Sequence, residues 1–389
     1  PGDALRHHRR ALRGWSRLDG AAGLRLPRRL THGRSRRARM AELCHKVAQE
    51  HLRADHYRRA LEWLDRAEEA TPQRSPLLRA KLSTLRSTTL FRLGRYDVAA
   101  AEGLQAVSLA ERTGDRPTIA YARDMHAMTY LEQGRLSEAI EQRIEAVAMF
   151  EADGDLRGSM GCHNNLGAAY QLVGDLEGAV VHYEQALDAA EKLGNLQGRA
   201  VIENNVGEVL LAQGRLDEAE ARFMATAQVH EDSGQAPAWA GLALVNLSRV
   251  DARRGDLSRA ADRLEEGNRL LRQAEAKGLL LEARQQRVEL LVAEGDLDGA
   301  RRANGRFVSE ARSLGLQLYE VRGATLAGRL AHLEGDDVRA VDELRRAVDL
   351  ADAVGARQEL SDALDELATT HADAEAASRL DGLERPPVV

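Results

Sequence analysis

Gly174-Asp175-Leu176-Glu177-Gly178-Ala179 decides the fold, because the phrase returns along the chain. It recurs as Gly134-Arg135-Leu136-Ser137-Glu138-Ala139 and as Gly214-Arg215-Leu216-Asp217-Glu218-Ala219, and again at Gly94, Gly255, Gly295 and Gly335. Steps between these glycines are 40, 40, 40, 41, 40 and 40 residues. A degenerate copy, Asp55-His56-Tyr57-Arg58-Arg59-Ala60, carries Asp in the glycine position. The residue five past the turn is alanine in every copy, from Ala60 to Ala340. A fixed period of this length is the sequence signature of a solenoid.

A second set, Gly114, Gly154, Gly194, Gly234, Gly315 and Gly355, falls midway between the first, with only the slot near Glu275 empty. Glycine ends helices by taking the left-handed conformation that other residues avoid. The intervening stretches are rich in Ala, Leu, Glu, Arg and Gln, which favour helix. Pro117 and Pro237 follow second-set glycines where a new helix begins, a place where proline's missing N–H costs nothing. Each repeat is therefore two antiparallel helices of about 16 residues, each about 24 Å long.

Asn165-Leu166-Gly167, Tyr170, Gly174, Ala179, Tyr183 and Ala186-Leu187 stand at the spacing of the tetratricopeptide repeat (TPR), and the chain resembles that family from about residue 41 to about residue 380. Small residues at the Gly167 and Ala179 positions let neighbouring helices approach, and Leu166 and Tyr183 fill the remaining space. The period exceeds the usual repeat of about 34 residues. That extra length resembles the long-repeat branch found in kinesin light chains, bacterial peptide-sensing regulators and the C-terminal arrays of large bacterial transcriptional activators. The resemblance implies an all-α fold, a right-handed α-solenoid of about eight helix hairpins with a C-terminal capping helix. Windows of 41–79, 80–119, 120–159, 160–199, 200–240, 241–280, 281–320 and 321–360 divide the array, with the cap at 361–380 and a disordered tail at 381–389. Repeats two and seven are the most degenerate, with Arg86, Gly103, Arg287, Gly299 and Asn304 in packing slots.

The chain has 389 residues and a net charge of −6, but residues 1–40 alone carry twelve arginines against Asp3 and Asp19. That segment is expected to be a disordered leader or linker. A weak contact with nucleic acid through its charge and a fold-back onto the acidic array are the other readings. The start at Pro1 and the basic leader raise the expectation of an upstream domain. No apolar run is long enough to span a bilayer, so no membrane partner is expected. Two distant cysteines, Cys44 and Cys162, suit a reducing, cytoplasmic setting.

By resemblance to the family, the first helix of each pair lines the inside of the curve, and the position nine before each turn residue faces it. That position reads Lys46, Leu85, Met125, Asn165, Asn205, Asn246, Gln286 and Leu326. Four consecutive repeats supply a carboxamide, and the preceding register adds Asn164, Asn204 and Gln285, broken by Val245. A carboxamide offers a donor and an acceptor, the complement of a peptide group. Two readings are open: the row holds the main chain of an extended ligand, or its amides bond one another and the next helix. Three residues on, Glu208 and Arg249 give the inner face mixed charge, which does not favour nucleic acid. The candidate peptide-binding residues are therefore Asn164, Asn165, Asn204, Asn205, Asn246, Gln285, Gln286, Glu208 and Arg249.

No catalytic motif emerges. There is no phosphate loop and no His-Glu-x-x-His, and the histidines form no i, i+4 pair, so neither an enzyme, a cofactor nor a metal is expected. Gly154, Gly158 and Gly161 read as a helix end and packing positions. The sequence leads to a scaffold that binds a peptide or protein segment along its concave face, in bacterial-type signal transduction or transcription regulation. A passive assembly scaffold, and a small-molecule or nucleotide sensor array of a larger ATPase-type regulator, are the alternatives.

Overall fold

A computed structural model describes residues 33–384 apart from positions 55, 73, 133, 134, 235 and 355. Expectations for residues 1–32, for 385–389 and for the glycines at 134 and 355 fall outside the described residues. The described chain is a succession of helices: α1 (Gly33–Arg53) with α2 (Tyr57–Ala70), α3 (Pro76–Arg92) with α4 (Tyr96–Glu111), and α5 (Arg116–Glu132) with α6 (Leu136–Ala152). Then follow α7 (Leu156–Leu172) with α8 (Leu176–Lys192), α9 (Leu196–Ala212) with α10 (Leu216–Ser233), and α11 (Pro237–Arg253) with α12 (Leu257–Gln273). The last are α13 (Lys277–Ala293) with α14 (Leu297–Leu314), α15 (Gln317–Leu333) with α16 (Asp337–Val354), and α17 (Arg357–His371) with α18 (Ala374–Glu384).

The turns work through a two-residue device. Gly154, Gly174, Gly194, Gly255 and Gly295 adopt φ between +59° and +84° and end one helix. The next residue, Asp155, Asp175, Asn195, Asp256 or Asp296, caps the following helix by accepting a backbone N–H with its side chain. Where the sequence lacks its mid-repeat glycine, the backbone does not change: Glu275 takes φ 54°. A side chain in that conformation costs about 1–2 kcal/mol. Glu275→Gly therefore stabilises the array by about 0.5–1 kcal/mol, the unfolded chain's extra freedom offsetting part of the gain. A denaturant midpoint that rises at constant slope checks it.

Close approach explains the small residues. A Cβ on Gly167 would lie 2.7 Å from the Tyr183 ring and one on Gly207 2.5 Å from Phe223, while Ala179 and Ala219 are fully buried. In repeat two, Arg86 turns out of the packing slot to meet Asp65 (2.7 Å) and Glu68 (3.0 Å). In repeat seven, buried Asn304 donates to the Gly323 carbonyl at 2.8 Å.

The boundaries differ from the sequence windows in three ways. The hairpins start four residues before them, because the glycine marks where a helix stops and only the capping residue marks where the next begins. Helix α1 already begins at Gly33, inside the expected leader. Residues 361–380 are not one capping helix: α17 ends at His371, Ala372 turns with φ 52°, and α18 begins at Ala374 and continues to Glu384, making a ninth, shortened hairpin.

First helices, the odd-numbered ones, pack against both their own partner and the first helix of the next repeat, all the way from α1 to α17. Second helices make no comparable contact with one another. The odd helices therefore line the inner, tighter side of the curve. The curve returns on itself. Tyr96 lies in one apolar cluster with Val321 and Ala324, and Tyr57 packs into the cluster that holds Leu316. A Cβ on Gly94 would be 3.6 Å from the Cβ of Gln317, and one on Gly315 3.0 Å from the Arg58 guanidinium. Five hairpins, α5 through α14, lie between the edges that meet.

Candidate functional site

The carboxamide row lies on consecutive odd helices, where the sequence register put it, and its members are bonded across repeats. Asn165 on α7 donates its Nδ2 to both carboxylate oxygens of Asp124 on α5, at 3.1 and 2.9 Å. Asn205 on α9 donates to Asn164 Oδ1 (2.8 Å), and Asn246 on α11 donates to Asn204 Oδ1 (3.0 Å) and Glu208 Oε1 (3.2 Å). Asn165, Asn205 and Asn246 thus point their N–H groups at the preceding repeat. Asn204 also donates to Glu208 at 3.0 Å.

From α11 onward the ladder becomes ionic. Arg249 donates to Asn246 Oδ1 (2.9 Å), to Gln286 Oε1 (3.2 Å) and to Glu282 Oε2 (3.4 Å). Glu282 Oε1 accepts from Tyr319 Oη at 2.9 Å and Arg322 Nη1 at 3.0 Å, and Arg322 Nε reaches Glu359 at 2.9 Å. Every odd helix from α5 to α17 is joined to the next by this ladder. Burial pushes the Glu208 carboxyl above its ordinary value, against the pull of Arg249. Burial also pushes Glu282 up, but Arg322 and Arg249 more than offset it and hold that carboxyl below the usual range.

Of the nine candidates, Asn204, Asn246 and Gln286 are buried, and the Asn246 amide is satisfied on both sides by the ladder. The expectation that these three stand free for a ligand is corrected: their complement is the neighbouring repeat. Full burial of Asn246 also removes its Asn-Leu-Ser sequon from the surface. Asn164, Asn165, Asn205, Glu208, Gln285 and Arg249 keep a partly exposed side. Gln285 donates to Glu289 (3.0 Å), and its buried Oε1 accepts no hydrogen bond. Arg253, whose Nη1 donates to the Leu211 carbonyl at 2.6 Å, is bound to the scaffold.

Sequence reasoning missed Asp124, Glu282 and Arg322. Asp124 occupies the register of Asn164 one repeat earlier, so extending the row upstream would have found it. Tyr121, one turn before Asp124 on α5, is an exposed aromatic beside the ladder's start. A separate cleft of about 530 Å³ opens between α6 and α8 over α7, lined by Phe150, Ser159, His163, Asp188 and Lys192. Its side walls come from α6 and α8 and its floor from α7, and none of the ladder residues lines it. His163 of its floor stacks on His182 of α8 with Nδ1 atoms 3.1 Å apart, one ring donating an N–H that the other accepts. No described helix is long and apolar enough to cross a membrane.

Residues 120–304 match the family described as the MalT-like TPR region. No sequence among the curated proteins matches the chain. Among solved structures, a Rap protein complexed with competence and sporulation factor is similar at 14% identity, over 89% of this chain and 98% of that one, with a TM-score of 0.57. The apo form of the quorum sensor NprR from B. thuringiensis is similar at 14% identity, over 90% and 94%, with a TM-score of 0.56. The Rap conjugation gene regulator of plasmid pLS20, in complex with the Phr* peptide, is similar at 17% identity, over 84% and 98%, with a TM-score of 0.50.

Proposed function

From the premise that the chain is a tetratricopeptide-repeat array, we propose that its inner face binds an extended peptide as a sensing module in regulation. One observation carries the reading: a continuous polar ladder runs down the inner face with its amides fixed in orientation and one edge left open. A groove whose hydrogen-bonding groups are already ordered loses little entropy when a ligand arrives. The proposed contacts are the open members, Asn164, Asn165, Asn205, Gln285, Glu208 and Arg249. The buried members hold the rungs at fixed spacing. The similar fold of the pLS20 regulator, which carries a Phr* peptide, supports the same occupant class.

The test is a peptide-library selection followed by titration of the strongest hits against Asn164→Ala/Gln285→Ala. Affinity is expected to fall at least tenfold for hits of unrelated sequence, with the helical circular dichroism unchanged. Equal affinity for every hit would remove the open edge from the binding surface. Selection of no peptide at all, with a small metabolite retained instead, would move the reading to a small-molecule sensor.

A further inference from the structure

A second set of polar side chains gathers away from the ladder, where repeat eight meets the ninth hairpin. His332 stands in the last turn of α15, with Nδ1 2.7 Å from Oδ1 of Asp337, the first residue of α16. His371 is the last residue of α17, and its ring meets that of His332 edge to face with centroids 5.1 Å apart. One coordinating atom from each of the three lies within 4.8 Å of the others. Nε2 of His371 is buried and has no hydrogen-bond partner.

Three features of this place suit a cation. Helices α15 and α17 end here and α16 begins here, so two helix C-termini, which favour positive charge, stand against one N-terminus. The connecting segment Glu334-Gly335-Asp336-Asp337 is acidic, while Arg329 and Arg339 are already paired with Glu366 and Glu334. Two imidazoles on one tetrahedral ion, with metal–nitrogen bonds of about 2.0–2.1 Å, bring their ring centroids to about 5 Å. Those rings already stand at that separation. Calcium and magnesium prefer all-oxygen sets, whereas two imidazoles and one carboxylate suit a borderline ion.

We propose that His332, Asp337 and His371 form a binding site for one divalent transition-metal ion of the zinc type. The ion would take one ring nitrogen from each histidine and an oxygen from Asp337, leaving a fourth position for water. Bound there, it would tie α17, and with it the last hairpin, to the preceding repeat. The proposal does not depend on the peptide groove.

Titration of the full chain with Co²⁺, followed by displacement with Zn²⁺, tests it. One equivalent of Co²⁺ is expected to give the strong visible absorption of a four- or five-coordinate ion, bleached by Zn²⁺. Affinity should fall at least tenfold in His332→Ala and in His371→Ala and stay unchanged in His163→Ala. Zn²⁺ should raise the thermal midpoint of the wild type but not of His332→Ala, a surface change that leaves the helices intact. Weak absorption of the octahedral kind, or an affinity that neither variant moves, overturns the assignment. The second result would place the ion on other histidines, such as His7 and His8.

Discussion

Asp124→Ala is expected to lower the stability of the array by about 3–5 kcal/mol, the usual cost of leaving one member of a buried ion pair alone. The member left is Arg143, which occupies in repeat three the slot that Tyr183 and Phe223 fill in the next two. Arg143 is 2% exposed and Asp124 3%, with Arg143 Nε 3.4 Å from the carboxylate. The loss extends to the ladder, since the same carboxylate receives both bonds from Asn165 Nδ2. Arg143 Nη1 would keep only its bond to the Asn165 carbonyl at 2.8 Å. Pairing Asp124→Ala with Arg143→Leu should recover most of the loss, because an apolar pair needs no counter-charge. Chemical denaturation of the three variants measures it. A single-variant loss below about 1 kcal/mol would mean that water reaches the guanidinium.

Arg249→Ala carries the second large effect, about 2–4 kcal/mol, because one guanidinium serves three acceptors on two helices. Its removal leaves Asn246 Oδ1 without its donor in a residue with no exposed surface. It also removes the cation between Glu208 and Glu282, which then face each other with Arg322 alone opposing. Glu208 should rise further, and Glu282 should lose part of the lowering that Arg249 gives it. A carboxyl raised in the folded state disfavours folding as pH climbs through that raised value, and the penalty is absent below the unfolded value. The variant's deficit should therefore be largest at neutral pH and shrink toward about pH 4.3, the ordinary value for glutamate. In the wild type, Glu282 works in the opposite sense: its lowered value stabilises the fold above that pH. Urea titrations at several pH values check the trend, and a deficit independent of pH would show that packing rather than charge is lost.

The hairpins were legible because their signals are local. A helix-ending glycine announces itself, and Gly167 opposite Tyr183 repeats at a fixed step; the Asx cap beside the glycine went unread, which left the windows from 80 onward four residues late. The slot at 275 shows the limit of that signal: Glu275 turns like a glycine because the helices on either side leave it no alternative. The carboxamide row was legible as a row. Its partners were not, because an amide complements a second amide as well as it complements a peptide, and only the spacing of α9 and α11 selects Asn204 for Asn246. Asp124 and Glu282 were passed over since neither is an amide. The histidine pair was missed for a related reason: a search within one helix cannot find His332 and His371, which come together because they stand about one repeat apart. The contact of Gly94 with Gln317 depends on small rotations summed over five hairpins, and no single residue records that sum.

That contact has a mechanical consequence. Where Arg58 rests on Gly315 and Tyr96 joins the apolar cluster of Val321 and Ala324, the array behaves as a spring whose coils already touch. Such a spring has no travel left in compression; it can only be drawn out or untwisted, and each such movement must first separate these two edges.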